Sequence, residues 1–478
     1  MRLAMRSTFV VLLLGGCVAA PHVQTEVKQV QSQSLGLAPD AQPIAAQWWK
    51  ELGDPQLDRL IEQGLAENPS LVAALARVRR AEASVDVAHA AQGPQITADG
   101  QALDQRFSDH YIYPPPYAGT TRWTATAQAN LNWDLDLFGR QKAVVSKAQS
   151  TAAATALDAD AARLTLSTSI AQTYVSLARA DRLIAVADGF VKSREQALAY
   201  TGARVRNKLA SEFDLRQAET LLAQAEQART RAQRQRDLLV HALAALAGRG
   251  ADFYSSIATP ALRLDQVIAV PQKLPADLLG RRPDLLAGQA RIDAAVAGRK
   301  VARADFLPNI DLQALAGLAS IGLGNFFGLS SGVYGGGAAV HVPIFESGKL
   351  RAQYRGATAD LDQAVADYND AVLRAIRDAS DVVTAVRSGD ADLSEQQRVV
   401  AGLRETVHLD EVRVSTGLAS QLDTIESGFR LLEAEQGLVD LQADALNRRI
   451  QLIAALGGGF SAPSPASSLQ FPVADRTS

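Results

Sequence analysis

Few side chains in this sequence are placed to do chemistry. Asp423 and Glu426 stand three apart and so share one face of a helix. The six histidines, His22, His89, His110, His241, His341 and His408, are scattered, and none has a partner at metal-ligand spacing. There is no G-x-S-x-G, H-E-x-x-H or P-loop spacing, so the sequence offers no catalytic residue, metal site or cofactor site and reads as a non-enzyme. Gly317, Gly322, Gly324, Gly328, Gly332 and Gly335 to Gly337 flank a strand-loop-strand and fit close strand packing better than a phosphate cradle. Both methionines precede Cys17, which leaves the mature chain without a thioether for soft metals. The remaining reactive group is the Cys17 thiol. Being alone, it excludes an internal disulfide framework and a cysteine-based zinc site.

The position of that thiol is informative. Arg2 and Arg6 supply positive charge, Phe9 to Leu14 is a short apolar run, and Gly15-Gly16-Cys17 ends it. The run is too short for a transmembrane helix and reads as a secretory signal over 1–16. Leu14-Gly15-Gly16-Cys17 also resembles the bacterial lipobox, in which the thiol receives a diacylglycerol and the new N-terminus is acylated with a palmitate-like chain. Several acyl chains at one site would anchor firmly, since each buried methylene contributes roughly 0.8 kcal/mol. Val18 follows, where Asp would signal inner-membrane retention, so the expected address is the outer membrane with Cys17 as lipid anchor. An ordinary signal with a chance cysteine is the alternative.

The chain repeats itself at an offset of about 210 residues. Ala66 to Ala83 returns as Gly280 to Ala297, Leu131 to Arg140 faces Val340 to Lys349, and Arg204 to Asp214 faces Arg413 to Asp423. Gly93 to Ile96 likewise returns as Leu307 to Ile310 and the stretch from His241 as that from Gln451, and five blocks in one order make a duplication. The expected division is 1–16 signal, 17–45 lipidated linker, 46–260 first repeat, 261–456 second repeat and 457–478 flexible tail. Each repeat reads helix, strand, loop, strand, long helix, tight turn, long helix. Proline is absent from Tyr117 to Thr259 and from Ile344 to Ala462. The path from Arg140 to the turn near Lys208 approaches 100 Å at roughly 1.5 Å per residue. A coiled-coil scaffold would explain such rods, but not the strands beside them.

Trp123 to Leu137 alternates almost without error: Trp, Ala and Leu at odd positions, Thr, Gln, Asn and Asp at even ones. A membrane-facing strand needs that rhythm over 9–11 residues, one side for lipid and one for a lumen. Trp123 and Trp133 would lie roughly 25 Å apart along a barrel axis, one at each membrane interface. Soluble sandwich strands are usually about half this length. Ile96 to Ala102, Ile310 to Ala316 and Tyr334 to Ile344 are weaker strands. Four strands cannot close a barrel, and open edges are not tolerated in lipid, so the chain must oligomerise. The net charge of −3 gives no footprint for nucleic acid.

The motifs resemble those of the TolC-like outer-membrane factors, and among them the NodT-type efflux lipoproteins. They are Cys17, Trp48-Trp49, Asp54-Pro55-Gln56-Leu57-Asp58, Asn68-Pro69, Trp133 to Arg140, Arg281-Arg282-Pro283-Asp284-Leu285 and the paired Arg-Val-x-x-x-Leu-Ala-Ser turns. The resemblance implies a mixed fold: a homotrimeric outer-membrane β-barrel, four strands per protomer and twelve in all, continuous with a long α-helical barrel in the periplasm. It implies a passive exit duct for tripartite efflux, docking a periplasmic membrane-fusion adaptor and an inner-membrane RND pump. A type I protein-secretion duct shares the plan, and a non-conducting scaffold is a third reading. Val205, Leu209, Ala210 and Ser211, with Val414, Gly417, Leu418, Ala419 and Ser420, are the expected adaptor contacts. Lys208 stands where the second turn has Gly417, a departure that would strain a left-handed turn. Asp423 and Glu426, repeated around an axis, would ring the closed aperture and raise their own pKa by like-charge repulsion.

Overall fold

The computed structural model describes residues 23–30, 44–266, 268 and 278–460, and Cys17 and the tail beyond Phe460 lie outside them. A 3₁₀ turn, Trp48–Leu52, leads into α1 (Pro55–Glu67) and α2 (Pro69–Ala90). Strands β1 (Gln95–Arg106) and β2 (Thr121–Asp134) follow, then α3 (Arg140–Arg206) and α4 (Glu212–Leu246). The second repeat runs α5 (Pro283–Ala304), β3 (Asn309–Ile321), β4 (Gly332–His341), α6 (Lys349–Ser415) and α7 (Gln421–Ala455). Three helix pairs match in length between the repeats: α2 and α5 have 22 residues each, α3 and α6 have 67, and α4 and α7 have 35. At 1.5 Å per residue each 67-residue helix is about 100 Å long.

The contacts divide the chain into two units that cut across the repeats. One comprises Arg77–Thr155 and Ala287–Asn369 with the N-terminal segment ending at Gln29, and it contains the sheet. The other comprises Val30–Ala76, Ala156–Leu286 and the chain from Asp370 onward.

Strand order follows the sequence, β1-β2-β3-β4, antiparallel throughout, so the β2–β3 ladder joins the two repeats. Two strand limits differ from the alternation. β2 stops at Asp134 rather than Leu137, because Asp136 turns to a positive φ of 46°. β4 runs from Gly332 to His341 rather than Tyr334 to Ile344, because Pro343 has no N–H to extend a ladder.

In the second unit the Trp-Trp and Asp-Pro-Gln motifs form a buried polar knot. Asp54 caps α1, one oxygen accepting from the Gln56 amide at 2.9 Å and the other from the Tyr174 hydroxyl at 2.8 Å. Burial and the Asp54 carboxylate push the Tyr174 pKa well above its ordinary value. Asn68 ends α1 and starts α2: its amide donates to the Leu246 carbonyl, and its oxygen accepts from the Ser70 amide and hydroxyl. Arg282 grips Asp284 through two nitrogens and donates a third hydrogen bond to the Ala455 carbonyl at the end of α7. Burial raises the Asp284 pKa, but the Arg282 hydrogen bonds and charge outweigh it, and the carboxyl sits below its ordinary value.

Candidate functional site

Three features of the chain bear on function: the sheet, the turns by which its strands enter the long helices, and the helical hairpin tips.

The register of the sheet sorts side chains by face. Leu131 lies opposite Ile96 and Ala314, Ala129 opposite Ala98 and Ala316, and Ala127 opposite Gly100 and Leu318. Beyond them Ala316 pairs with Tyr334 and Ile310 with Val340. Trp123 and Trp133 stand on this apolar face, near opposite ends of β2, and Tyr334 is 90% exposed. The other face carries Thr97, Asp99, Gln101, Thr126, Gln128, Asn130, Asn132, Asp311 and Gln313, and Asn130 donates across it to Asp99 at 2.8 Å. The odd-even rhythm of β2 thus continues through the first half of β1 and of β3, but Leu103, Leu315 and Ile321 also lie on the polar face, and β4 brings Val333, Ala339 and two glycines to it. Gly317 is required on the polar face, where an added Cβ would meet the Ala127 carbonyl at 2.2 Å. Gly335 and Gly337 have open space around them, so crowding does not account for those. β1 and β4 are the two edges of the sheet, and neither pairs with a further strand among the described residues.

Asp134 to Arg140 turns the chain from β2 into α3. Asp136 accepts from the amides of Gln141 and Lys142 at 2.7 and 2.9 Å, Gly139 takes φ 74°, and Arg140 pairs with Asp305 at 2.7 Å. Ser347 and Gly348 at positive φ make the corresponding turn before α6.

The two hairpin tips are built alike. Leu209 N–H donates to the Arg204 carbonyl and Leu418 N–H to that of Arg413, both at 2.8 Å, around a left-handed residue at Lys208 (φ 58°) or Gly417 (φ 73°). Lys208 therefore adopts the conformation that Gly417 adopts. Ser211 and Ser420 then cap α4 and α7, each in a capping box with the carboxylate three residues on, Asp214 or Asp423. Hydrogen bonds from the serine backbone and hydroxyl hold both carboxyls below their ordinary pKa. Within the chain Asp423 thus has a capping role, and the like-charge repulsion expected of it would act against that downward shift. Glu426 is exposed one turn further along α7. Leu209 and Leu418 are 67% and 73% exposed. So is Phe213, at 75%, which is not among the expected contacts. An apolar residue two places after a capping serine was its signal.

Behind the tips, Phe190 of α3 stacks on Phe429 of α7 at 6.1 Å between centroids, and the Arg194 guanidinium lies 3.4 Å from the Phe429 ring centre. Arg179 of α3 pairs with Asp440 of α7 at 2.7 Å, so the first long helix is tied to the last by charge and by stacking.

The Outer membrane efflux protein family matches residues 60–249 and 274–458. The chain belongs to that family. The fusaric acid resistance protein FusA of Burkholderia cepacia is 34% identical over 75% of this chain and 69% of its own length. The solvent efflux pump outer membrane protein SrpC of Pseudomonas putida is 31% identical over 95% of this chain and 97% of its own. The crystal structure of the outer membrane protein VceC of Vibrio cholerae superposes with a TM-score of 0.80 at 31% identity, covering 88% of this chain and all of VceC. This outer-membrane efflux protein is accordingly a channel for export, and the TolC-like resemblance in its motifs holds. None of its described helices is long and apolar enough to cross a membrane.

Proposed function

We propose that this efflux protein acts as a passive homotrimeric exit duct, its sheet forming a share of an outer-membrane barrel and its hairpin tips docking a periplasmic adaptor served by an inner-membrane RND pump. The observation that carries the reading is the sheet: four strands, one face apolar, the other carrying the polar residues of β1 to β3, and no further strand on either edge among the described residues. Lipid and a watery lumen suit the two faces, and copies of the same chain supply the missing partners of β1 and β4. Trp123 and Trp133 would lie at the membrane interfaces, and Cys17 would carry the acyl anchor. Efflux is favoured over type I protein secretion by the relatives, among them a solvent efflux pump component and a fusaric acid resistance protein. The cargo of the duct would be chosen upstream, and no cofactor or catalytic step is assigned to it.

At the tips, Val205, Leu209, Ala210 and Ser211 with Val414, Gly417, Leu418, Ala419 and Ser420 are the proposed adaptor contacts, and Phe213 joins them through its exposure. A photo-crosslinker at Ser420, irradiated in living cells, should capture a periplasmic adaptor encoded with a proton-driven pump. Capture of an ATP-driven exporter's adaptor would move the reading to secretion, and capture of none would overturn the tip assignment. Native mass spectrometry of the purified protein should give three copies, and a planar bilayer should show conductance.

A further inference from the structure

Residues 23–29 form no helix or strand, yet five hydrogen bonds hold them. Arg299 of α5 donates to the Val23 carbonyl at 2.7 Å. The amides of Glu26 and Val27 both donate to one oxygen of Asp362 on α6, at 3.0 and 3.3 Å. Asn369 of α6 donates to the Lys28 carbonyl at 2.9 Å, and the Gln29 side chain donates to Gln289 of α5. Val23 packs on the cluster of Ala302, Phe306 and Tyr354, and Arg299 sits 5.3 Å from the Tyr354 ring centre. Four of these five contacts are to the backbone, with side chains of two helices as the donors and acceptors. A carboxylate that receives two amides makes charge-assisted bonds, stronger than neutral ones.

The duplication provides an internal control. At the positions of the first repeat that correspond to Gln289, Arg299 and Asp362 stand Leu75, Val85 and Ala153. Asn369 corresponds to Asp160, whose carboxylate is taken by Arg163 at 2.7 Å. The same helices, of the same lengths, therefore lack the seat in one repeat and have it in the other. Packing alone would favour no such difference.

We propose that Val23–Gln29 is a strap docked through its backbone in a seat specific to the second repeat, stapling α5 to α6. On the reading that Cys17 is acylated, the lipid is then joined to the protein by a short leash rather than a free tether. Six residue steps separate Cys17 from Val23, a contour of at most about 20 Å, and Phe306 beneath Val23 is three residues before β3.

The test uses the full-length protein purified from outer membranes. Hydrogen exchange of a peptide covering residues 23–30 should be at least tenfold slower than for an unstructured chain. Trypsin should cut after Lys28 slowly in the wild type and at least tenfold faster in Asp362→Ala, while Asp362→Asn, which keeps an acceptor oxygen, should stay closer to wild type. Exchange of the wild-type peptide at the unstructured rate would overturn the strap whether or not the variants fold. Equal cleavage of wild type and Asp362→Ala would do the same. The mass of the released N-terminal fragment reports acylation separately: a bare Cys17 would sink the anchor reading and the leash with it, leaving the docked strap to stand on exchange and cleavage.

Discussion

At the scale of single residues, the tips show what a duplicated turn tolerates. Lys208 holds a left-handed conformation that Gly417 adopts freely, and for an L-residue this costs roughly 1–2 kcal/mol. Lys208→Gly should therefore stabilise the first tip by about 1 kcal/mol, read as slower hydrogen exchange of the Leu209 amide, which closes that turn. Faster exchange would mean that glycine's extra freedom in the open turn outweighs the relieved strain. Asp214 and Asp423 make a second prediction. Their carboxyls titrate below the ordinary 3.8 because the serine backbone and hydroxyl donate to the charged form. A lowered folded-state pKa gives a cap that is fully present above the unfolded value and is lost as pH falls through the folded one. Both tips should stay capped down to about pH 4 and open only in stronger acid. Carboxyl NMR of aspartate-labelled protein should find both groups titrating below 3.8, and values at or above it would contradict the geometry.

At the scale of elements, equivalent positions do equivalent work with shifted partners. Asp181 and Asp390 occupy the same place in α3 and α6, counting from Arg140 and Lys349. Asp181 pairs with Arg236 of α4 at 2.7 Å and Asp390 with Arg449 of α7 at 2.6 Å. Arg449 lies four residues, one helical turn, beyond the counterpart of Arg236. Asp181→Ala leaves a partly buried guanidinium with only its longer pairing to Asp237 at 3.7 Å and should destabilise the first hairpin by about 1 kcal/mol, measured by thermal unfolding. At the seam between repeats, Gly317→Ala drives a methyl group into the Ala127 carbonyl. It should lower the yield of protease-resistant barrel, whereas the same change at Gly335, which has open space, should not. The helices, the four strands and the tip turns were all legible in the sequence, because proline placement and period-two alternation depend on local physics. What stayed illegible was the meaning of the most family-specific motifs. Arg282 and Asp284 secure the end of α7, and Asp136 caps α3. Both roles involve partners that a linear reading cannot pair. The seat for the strap was hidden likewise, since Asp362 and Glu26 stand 336 residues apart.

At the scale of the whole molecule, symmetry would turn a single carboxylate into a ring. Asp423 already caps α7, so its removal confounds charge with helix fraying, and Glu426 is the cleaner probe. Glu426→Gln should weaken block by multivalent cations in a planar bilayer while leaving the tip intact, and unchanged block would dissociate Glu426 from the aperture. The β2–β3 ladder carries a different consequence. It is an unbroken antiparallel pairing of eleven residues between repeats, of the same kind that β4 and β1 would make between neighbouring copies. The chain is in that sense two ancestors spliced end to end, and a half-length forebear would have closed the same wall with twice as many subunits. Splicing released the halves from identity. One half now has a lysine where its sibling has glycine, and the other has a berth for the N-terminal segment, a division of labour open only to halves that need not be identical.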